Sequence, residues 1–265
     1  RSYSVTGVQT CALPIYIPLI PTADFASRAD QYAGTYFLAR STFTTFEKVL
    51  TLMSPVNVRV KEERVLVTFG GKTLSYVEVE PGLLVNPDDP ADKLVLNTID
   101  NQISLTPPMP FVFLKIPWYR VLALHIFILA GGFILFLITM ISWFVSFVKG
   151  LKKREKRPLL ARLSRLSAGL FGFFYLSFMF AFGSILTDTH PAFGVPRVFF
   201  GMPAHADELF FIPILLAIFG LITLVFAVIN WINGFWTVKS RLVYSLLTMF
   251  TLAILWSFYF WNLLG

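Results

Sequence analysis

The sequence predicts an α+β membrane protein, in which a small antiparallel β sheet or barrel domain with one short helix precedes four transmembrane α-helices. Three observations support this prediction. Hydrophobic residues make up 56% of the 265-residue chain and charged residues only 14%, whereas ordinary soluble domains carry about 25% charged residues. The second half contains four long runs without Asp, Glu, Lys or Arg. The first half alternates apolar and polar residues with the period of two that is typical of strands.

The first fifteen residues stand apart from the fold. Residues 5–15 resemble the translation of a sequencing-library adapter, and they lack the basic and apolar regions of a signal peptide. We interpret residues 1–15 as an artefact and expect the native protein to begin upstream. Residues 16–31 contain Pro18 and Pro21, show no periodicity and are predicted to be a linker. The single cysteine, Cys11, allows neither a disulfide nor a thiolate metal cluster.

The β domain is predicted over residues 32–117. Thr44 and Glu47 have capping-box spacing, so a short helix with a core-facing apolar side is predicted from there to Pro55. Tight turns such as Gly70-Gly71 separate short segments of period two, and connections of this length leave no room for crossover helices. Antiparallel strands are therefore predicted near residues 32–39, 56–60, 65–69, 74–80, 83–85, 94–96, 103–105 and 111–116.

Two patterns in this domain imitate functional motifs. Gly70-Gly-Lys-Thr73 is similar to the end of a phosphate-binding P-loop, but Leu66 occupies the position of the required first glycine and a strand follows instead of a helix. A hairpin turn is predicted there. Four acidic residues could form a metal or acid–base set, but Val77 and Val79 alternate with two of them, which favours a solvated sheet face. These acidic residues are Glu62, Glu63, Glu78 and Glu80.

The membrane domain is predicted over residues 118–265. Each uncharged run exceeds the roughly 20 residues that cross a bilayer as a helix, and Trp and Tyr residues lie mostly near the ends of the runs, where amphipathic rings favour the interface. The spans are predicted at about 119–148, 166–187, 209–236 and 241–264.

Charge predicts the topology of these spans. The connection 149–165 carries eight Lys or Arg and one Glu, and the connection 237–241 carries Lys239 and Arg241 without an acid. Because positive residues remain cytoplasmic, both connections are predicted to be cytoplasmic and the β domain extracytoplasmic, in a multi-pass plasma-membrane protein. The basic loop is predicted to contact the anionic inner leaflet. Residues 16–120 carry 10 basic and 11 acidic residues, which argues against a nucleic-acid partner.

The sequence predicts no catalytic, cofactor-binding or metal-binding residue in this chain. His125 near the start of the first span is interpreted as an interfacial residue. The loop acids and histidines match no zinc spacing and are interpreted as solvated; they are Asp188, His190, His205, Asp207 and Glu208. Ser146-Phe-Val-Lys149 has the Ser-x-x-Lys spacing of penicillin-interacting enzymes, but it ends a membrane span and its companion motifs are missing, so it is interpreted as chance.

Several segments together resemble the carboxy-terminal region of membrane-bound bacterial serine hydrolases of the class C β-lactamase and penicillin-binding type. They are Tyr32-Ala-Gly-Thr-Tyr36, Thr44-Thr-Phe-Glu-Lys48, Val77-Glu-Val-Glu-Pro81, Ile116-Pro-Trp-Tyr119, Ser240-Arg-Leu-Val-Tyr244 and Trp261-Asn-Leu-Leu-Gly265. The resemblance implies a β-lactamase-like catalytic domain upstream, acting on peptide, amide or ester bonds outside the cytoplasm. This chain would then be the non-catalytic accessory β domain and membrane anchor. No family catalytic residue maps onto it.

Two alternatives remain open at this point. The chain could be a membrane-anchored extracytoplasmic binding or sensing module without enzymatic activity, although its short basic inner loops leave no room for an output domain. A small transporter is less favoured, because transporters place ionisable residues within the membrane and only His125 meets that description.

Overall fold

The structure is a computed structural model that describes residues 19–39, 55–99, 102–150, 158–194, 196–201, 206–234 and 236–264. These residues form two compact units, one ending at Ile116 and the other beginning at Pro117. The adapter-like residues 1–15 and the helix predicted from Thr44 lie outside the described residues.

The first unit is a closed antiparallel barrel, which confirms the predicted β domain. Each strand pairs with its neighbours in sequence, and the first strand pairs with the last. Closure pairs both sides of every strand, so the barrel has no open edge. The strands are β1 (Gly34–Leu38), β2 (Val56–Lys61), β3 (Arg64–Phe69), β4 (Lys72–Glu80), β5 (Leu83–Val85), β6 (Lys93–Ile99), β7 (Gln102–Thr106) and β8 (Phe113–Ile116).

Side chains fill the interior of the barrel. Tyr36, Val65, Leu84 and Leu105 are at most 2% exposed and belong to one apolar cluster with residues from the other strands. An eight-stranded barrel is just wide enough for its interior to be filled in this way. The alternation seen in the sequence thus produces a packed apolar core inside the barrel.

A short helix extends the core, and here the structure differs from the predicted linker. Helix α1 (Phe25–Tyr32) buries Phe25, Ala29 and Tyr32 in the barrel core. The spacing of these three residues places them on one helical face. The linker prediction for residues 16–31 is therefore wrong from Phe25 onward, because this single apolar face is short enough to be missed beside Pro18 and Pro21.

The second unit contains four helices long and apolar enough to cross a membrane, which confirms the predicted number of spans. A 3-10 turn (Trp118–Arg120) precedes the first of them. A second 3-10 turn (Arg197–Phe200) and the short helix α4 (Ala206–Leu209) lie in the connection between the second and third long helices. The long helices are α2 (Leu122–Gly150), α3 (Leu159–Thr187), α5 (Phe211–Asn233) and α6 (Val238–Phe260).

Helix α3 begins earlier than predicted. Residues 159–165 were predicted to belong to a basic loop, but they form the first turns of α3, and Arg162 and Arg165 lie on this helix. Arginine and leucine are both favourable helix formers, so the helix continues beyond the apolar run. Charge marks where the chain leaves the hydrocarbon region, which is a different point from the end of a helix.

The four long helices pack as a ring in the order α2, α3, α5 and α6, with α6 returning against α2. The interior contains aromatic rings in mutual contact, among them Phe136, Phe171, Tyr175 and Phe258. Gly172 permits the approach of α2 to α3, since a Cβ at this position would lie 2.8 Å from the Phe136 ring. Small residues allow close helix packing of this kind within membranes.

Candidate functional site

The most polar buried position of the barrel is Glu78 on β4, which is 0% exposed. The prediction of a solvated face is therefore wrong for this residue. Tyr76 pairs with the core residue Val65, and Glu78 pairs with the core residue Leu84. Since residues two apart on a strand share a face, Glu78 points inward together with Tyr76.

Four donors surround the Glu78 carboxylate. Oε2 accepts hydrogen bonds from Thr22 Oγ1 at 2.6 Å and from Arg28 Nη2 at 2.9 Å. Oε1 accepts from the Tyr32 hydroxyl at 2.6 Å and from the Gly82 backbone N–H at 2.8 Å. Both oxygens are thus satisfied, as a buried carboxylate requires. We call this cluster of Glu78, Thr22, Arg28, Tyr32 and Gly82 the carboxylate latch.

The latch keeps Glu78 ionised. Burial alone raises the pKa of Glu78, but the hydrogen bonds from Arg28, Thr22, Tyr32 and Gly82 outweigh burial and lower it to about 2. Burial first, and the neighbouring Glu78 carboxylate second, raise the pKa of Tyr32. A carboxylate held in the charged form by four donors is poorly suited to proton transfer near neutral pH. Its role is to hold α1 against the barrel.

The other acidic candidates lie at the surface of the barrel. Glu62 and Glu63 lie at the turn between β2 and β3, and Glu80 ends β4; all three are exposed. The solvated interpretation is confirmed for these three residues. No group of three or more metal-ligating His, Cys, Asp or Glu side chains occurs within the described residues.

The glycine pair forms the predicted hairpin turn. Gly70 and Gly71 connect β3 to β4 and have φ values of 56° and 79°. Two successive positive φ angles are typical of the tight turn that joins antiparallel strands. Lys72 and Thr73 then start β4, so the P-loop resemblance has no structural counterpart.

His125 is a buried histidine of the helical unit. It lies in the first turn of α2, is 1% exposed, and its Nδ1 is 2.8 Å from the Ser257 hydroxyl on α6. Its ring stacks against both Trp256 and Phe260, with centroid distances of 4.9 and 4.7 Å, and these two rings also contact each other. The interfacial interpretation correctly places His125 near a helix end, but the ring is enclosed by aromatic side chains of α6 instead of facing the interface.

An apolar cavity of about 160 Å³ adjoins His125. Leu122, Phe182, Leu186 and Leu263 are among its lining residues, and His125 is the one titratable side chain among the described residues that line it. Ser257 does not line it. The His125–Ser257 distance is that of a nucleophile–base pair, but Ser257 is fully buried and outside the cavity lining, so the arrangement serves as an interhelical hydrogen bond.

The other polar candidates of this unit make local contacts. The Ser146 hydroxyl donates to the Ser142 carbonyl of its own helix at 2.8 Å, as expected if the Ser-x-x-Lys spacing arose by chance. Asp188 pairs with Arg197 at 3.4 Å, and the His190 ring contacts Phe193. His205 and the Asp207 side chain lie outside the part of the chain that the structure describes.

Sequence reasoning missed a buried polar contact among α3, α5 and α6. The Tyr244 hydroxyl donates to the Ser164 carbonyl at 3.0 Å and lies 3.3 Å from the Ser167 hydroxyl. The Ser164 hydroxyl lies 3.4 Å from Asn230 Oδ1. Scattered Ser and Tyr residues in an apolar run give no signal of such a contact until the packing of three helices is known.

No family model matches the chain, and neither a curated protein nor a solved structure matches it.

Proposed function

We propose that the chain is the membrane anchor and non-catalytic accessory β domain of an extracytoplasmic serine hydrolase of the β-lactamase-like type, acting on a peptide, amide or ester bond. The observation that supports this most is the combination of a barrel with a packed interior and four apolar helices that match a bilayer in length. A barrel filled by its own side chains presents an outer surface to other domains. The link to a hydrolase rests on the sequence resemblance.

We propose that the barrel is extracytoplasmic. The positive charges at the end of α2, in the first turns of α3 and at the start of α6 favour the cytoplasmic side for that end of the helical unit; they are Lys149, Arg162, Arg165, Lys239 and Arg241. The barrel precedes α2 in the chain, and an odd number of crossings separates it from the first basic connection.

Cysteine labelling tests this orientation. Cys11 is first replaced by Ser, and a single cysteine is then introduced at exposed Lys93 on β6 or at exposed Lys149. We expect a membrane-impermeant maleimide to label Lys93→Cys in intact cells and Lys149→Cys only after lysis. Labelling of Lys149→Cys but not of Lys93→Cys in intact cells would contradict the proposal and indicate the opposite orientation.

The hydrolase assignment has a separate test. Sequencing of the source DNA upstream of codon 16 should reveal an open reading frame with Ser-x-x-Lys followed by Tyr-x-Asn. The purified product of that whole frame should hydrolyse a chromogenic β-lactam or ester, and the chain described here should not. Turnover by this chain alone, or a start codon directly before Tyr16, would contradict the proposal and favour the binding or sensing module.

A further inference from the structure

A second cavity lies among the basic ends of α2, α3 and α6. It has a volume of about 170 Å³ and is lined by residues of three helix ends and of the turn before α6. We call it the basic pocket; its lining residues are Trp143, Arg165, Trp236, Lys239, Ser240, Val243 and Tyr244. Unlike the cavity beside His125, it combines cationic, aromatic and hydroxyl side chains.

Two cations from different helices meet at the basic pocket. The Arg165 guanidinium carbon lies 5.6 Å from the centroid of the Trp236 ring, a cation–π contact that fixes its position. Lys239 lies in the first turn of α6, is exposed and forms no salt bridge with any described residue. The positive potential at this position is therefore shared by α3 and α6.

A third nearby cation has a different role. Arg241 Nε donates to the Trp236 carbonyl at 2.8 Å, and its guanidinium lies 5.6 Å from the Trp231 ring. Arg241 thereby holds the turn between α5 and α6, and it does not line the basic pocket. This α5–α6 turn also fixes the position of the Trp236 ring, which Arg165 contacts.

The position of the basic pocket along the helices fits the level of the lipid headgroups in a bilayer. Trp143 precedes the last residue of α2 by seven positions and Arg165 follows the first residue of α3 by six. These separations are about 9–10.5 Å at 1.5 Å per residue. Helices α2 and α3 thus extend beyond the pocket, while α6 begins beside it. Indole rings such as Trp143 and Trp236 favour this interfacial level.

We propose that the basic pocket binds one anionic phospholipid, with the lipid phosphate between Arg165 and Lys239 and its glycerol region against Trp143, Trp236 and Val243. Arg and Lys donors are suited to phosphate oxygens, and basic pockets between membrane helices are suited to anionic headgroups. The bilayer supplies this ligand at the depth of the pocket. The proposal does not depend on the hydrolase assignment.

The test measures lipid retention by the full chain in uncharged detergent, using native mass spectrometry with phosphatidylglycerol, phosphatidylcholine and inorganic phosphate as separate probes. The pocket variant is Arg165→Gln/Lys239→Gln. The matched control is Lys149→Gln/Arg162→Gln, which removes the same charge from two exposed positions outside the basic pocket. We expect one phosphatidylglycerol to be retained in preference to phosphatidylcholine, and the pocket variant to weaken it at least about tenfold while the control changes little.

Three results would overturn the proposal. Equal weakening of phosphatidylglycerol retention by both double variants would indicate general attraction to a positive surface. Equal retention of phosphatidylglycerol and phosphatidylcholine would show that lipid charge plays no role. Displacement of the lipid by millimolar phosphate would indicate a site for free phosphate. If the double variant does not fold, Lys239→Gln alone carries the test and should weaken retention several-fold, whereas Lys239→Arg should preserve it because both cations bind phosphate. Unchanged retention in Lys239→Gln would also overturn the proposal.

Discussion

Tyr32 and Glu78 are 46 positions apart in sequence, yet the Tyr32 hydroxyl donates a 2.6 Å hydrogen bond to the Glu78 carboxylate inside the barrel. This contact joins the last residue of α1 to β4. Together with the bonds from Arg28 and Thr22, it adds a polar attachment to the apolar packing of α1. The carboxylate latch thus couples α1 to β4 through a group that responds to substitution and to pH.

Replacing Glu78 by Gln should destabilise the barrel. The substitution leaves the Arg28 guanidinium without its carboxylate and replaces one acceptor oxygen of the buried Glu78 side chain by an NH2 group. A buried group left without its hydrogen-bond partner costs about 1–3 kcal/mol. Hydrogen–deuterium exchange of the full chain should show lost protection in α1, β4 and β5. Glu80→Gln, at an exposed position on the same strand, should leave protection nearly unchanged. Equal loss in both variants would contradict a latch at Glu78.

Acid should release α1 through the same group. The pKa of Glu78 is about 2 in the folded chain, below its ordinary value of 4.5. A carboxyl group whose folded pKa is lowered contributes stability above its unfolded pKa and loses it as pH falls towards the folded pKa. We expect protection of α1 to decrease between about pH 4.5 and pH 2, as measured by exchange at a series of pH values. In Glu78→Gln this dependence should be much reduced; an unchanged profile would assign the acid sensitivity to other carboxylates.

Gly82 should tolerate no side chain. It has a φ of 80°, and a Cβ there would collide with the Leu96 carbonyl oxygen. Gly82→Ala should therefore destabilise the barrel by more than the roughly 1 kcal/mol expected for a left-handed alanine. Gly70→Ala is the matched comparison, because Gly70 has a φ of 56° with open space around it. Denaturant unfolding followed by far-ultraviolet circular dichroism measures the free energy of unfolding of both variants. Equal losses of stability would mean that β6 shifts away from the new side chain at position 82 at little cost.

The His125–Ser257 hydrogen bond should stabilise the packing of α2 against α6. Ser257→Ala removes a buried interhelical bond of 2.8 Å and should cost about 0.5–1.5 kcal/mol. Thermal unfolding followed by tryptophan fluorescence is suited to the measurement, since Trp256 and Trp261 contact His125. Ser184→Ala is the control, because the Ser184 hydroxyl is exposed and donates within its own helix. A melting temperature that falls equally in both variants would remove the special role of Ser257.

The periodicities of the sequence predict most of the strands and all four long helices. Alternation along β2 and β3 and the glycine pair at 70–71 predicted the hairpin pattern, and the uncharged runs predicted the four spans. Both signals are local, because a strand or a membrane helix must place its apolar residues at fixed intervals wherever it packs.

The predictions are wrong where contacts with residues distant in sequence determine the environment of a side chain. Val77 and Val79 suggested that the intervening Glu78 was solvated, but the strand pairing turns Glu78 inward, and its donors Thr22 and Arg28 lie 56 and 50 positions away. The register of β4 against β5 also shifts between Glu78 and Glu80. His125 was predicted near a helix end, but its enclosure depends on the rings of α6. Pairing and packing of this kind have no signature in a single stretch of sequence.

The pairing of β1 with β8 has a mechanical consequence. Thr35 near the start of β1 lies opposite Ile116 at the end of β8, so tension between the chain before the barrel and the membrane helices after it would pull on adjacent ends of two antiparallel strands. Such a load breaks the backbone hydrogen bonds between the two strands one after another. Sequential breaking requires far less force than shearing the strands, which breaks many hydrogen bonds at once. Helix α1 precedes β1 and is held to β4 through Glu78. We therefore expect the force to load the carboxylate latch before it loads the first backbone hydrogen bond between β1 and β8. The hydrogen bonds of Glu78 and the apolar packing of α1 would then contribute to the tension at which the barrel begins to unfold.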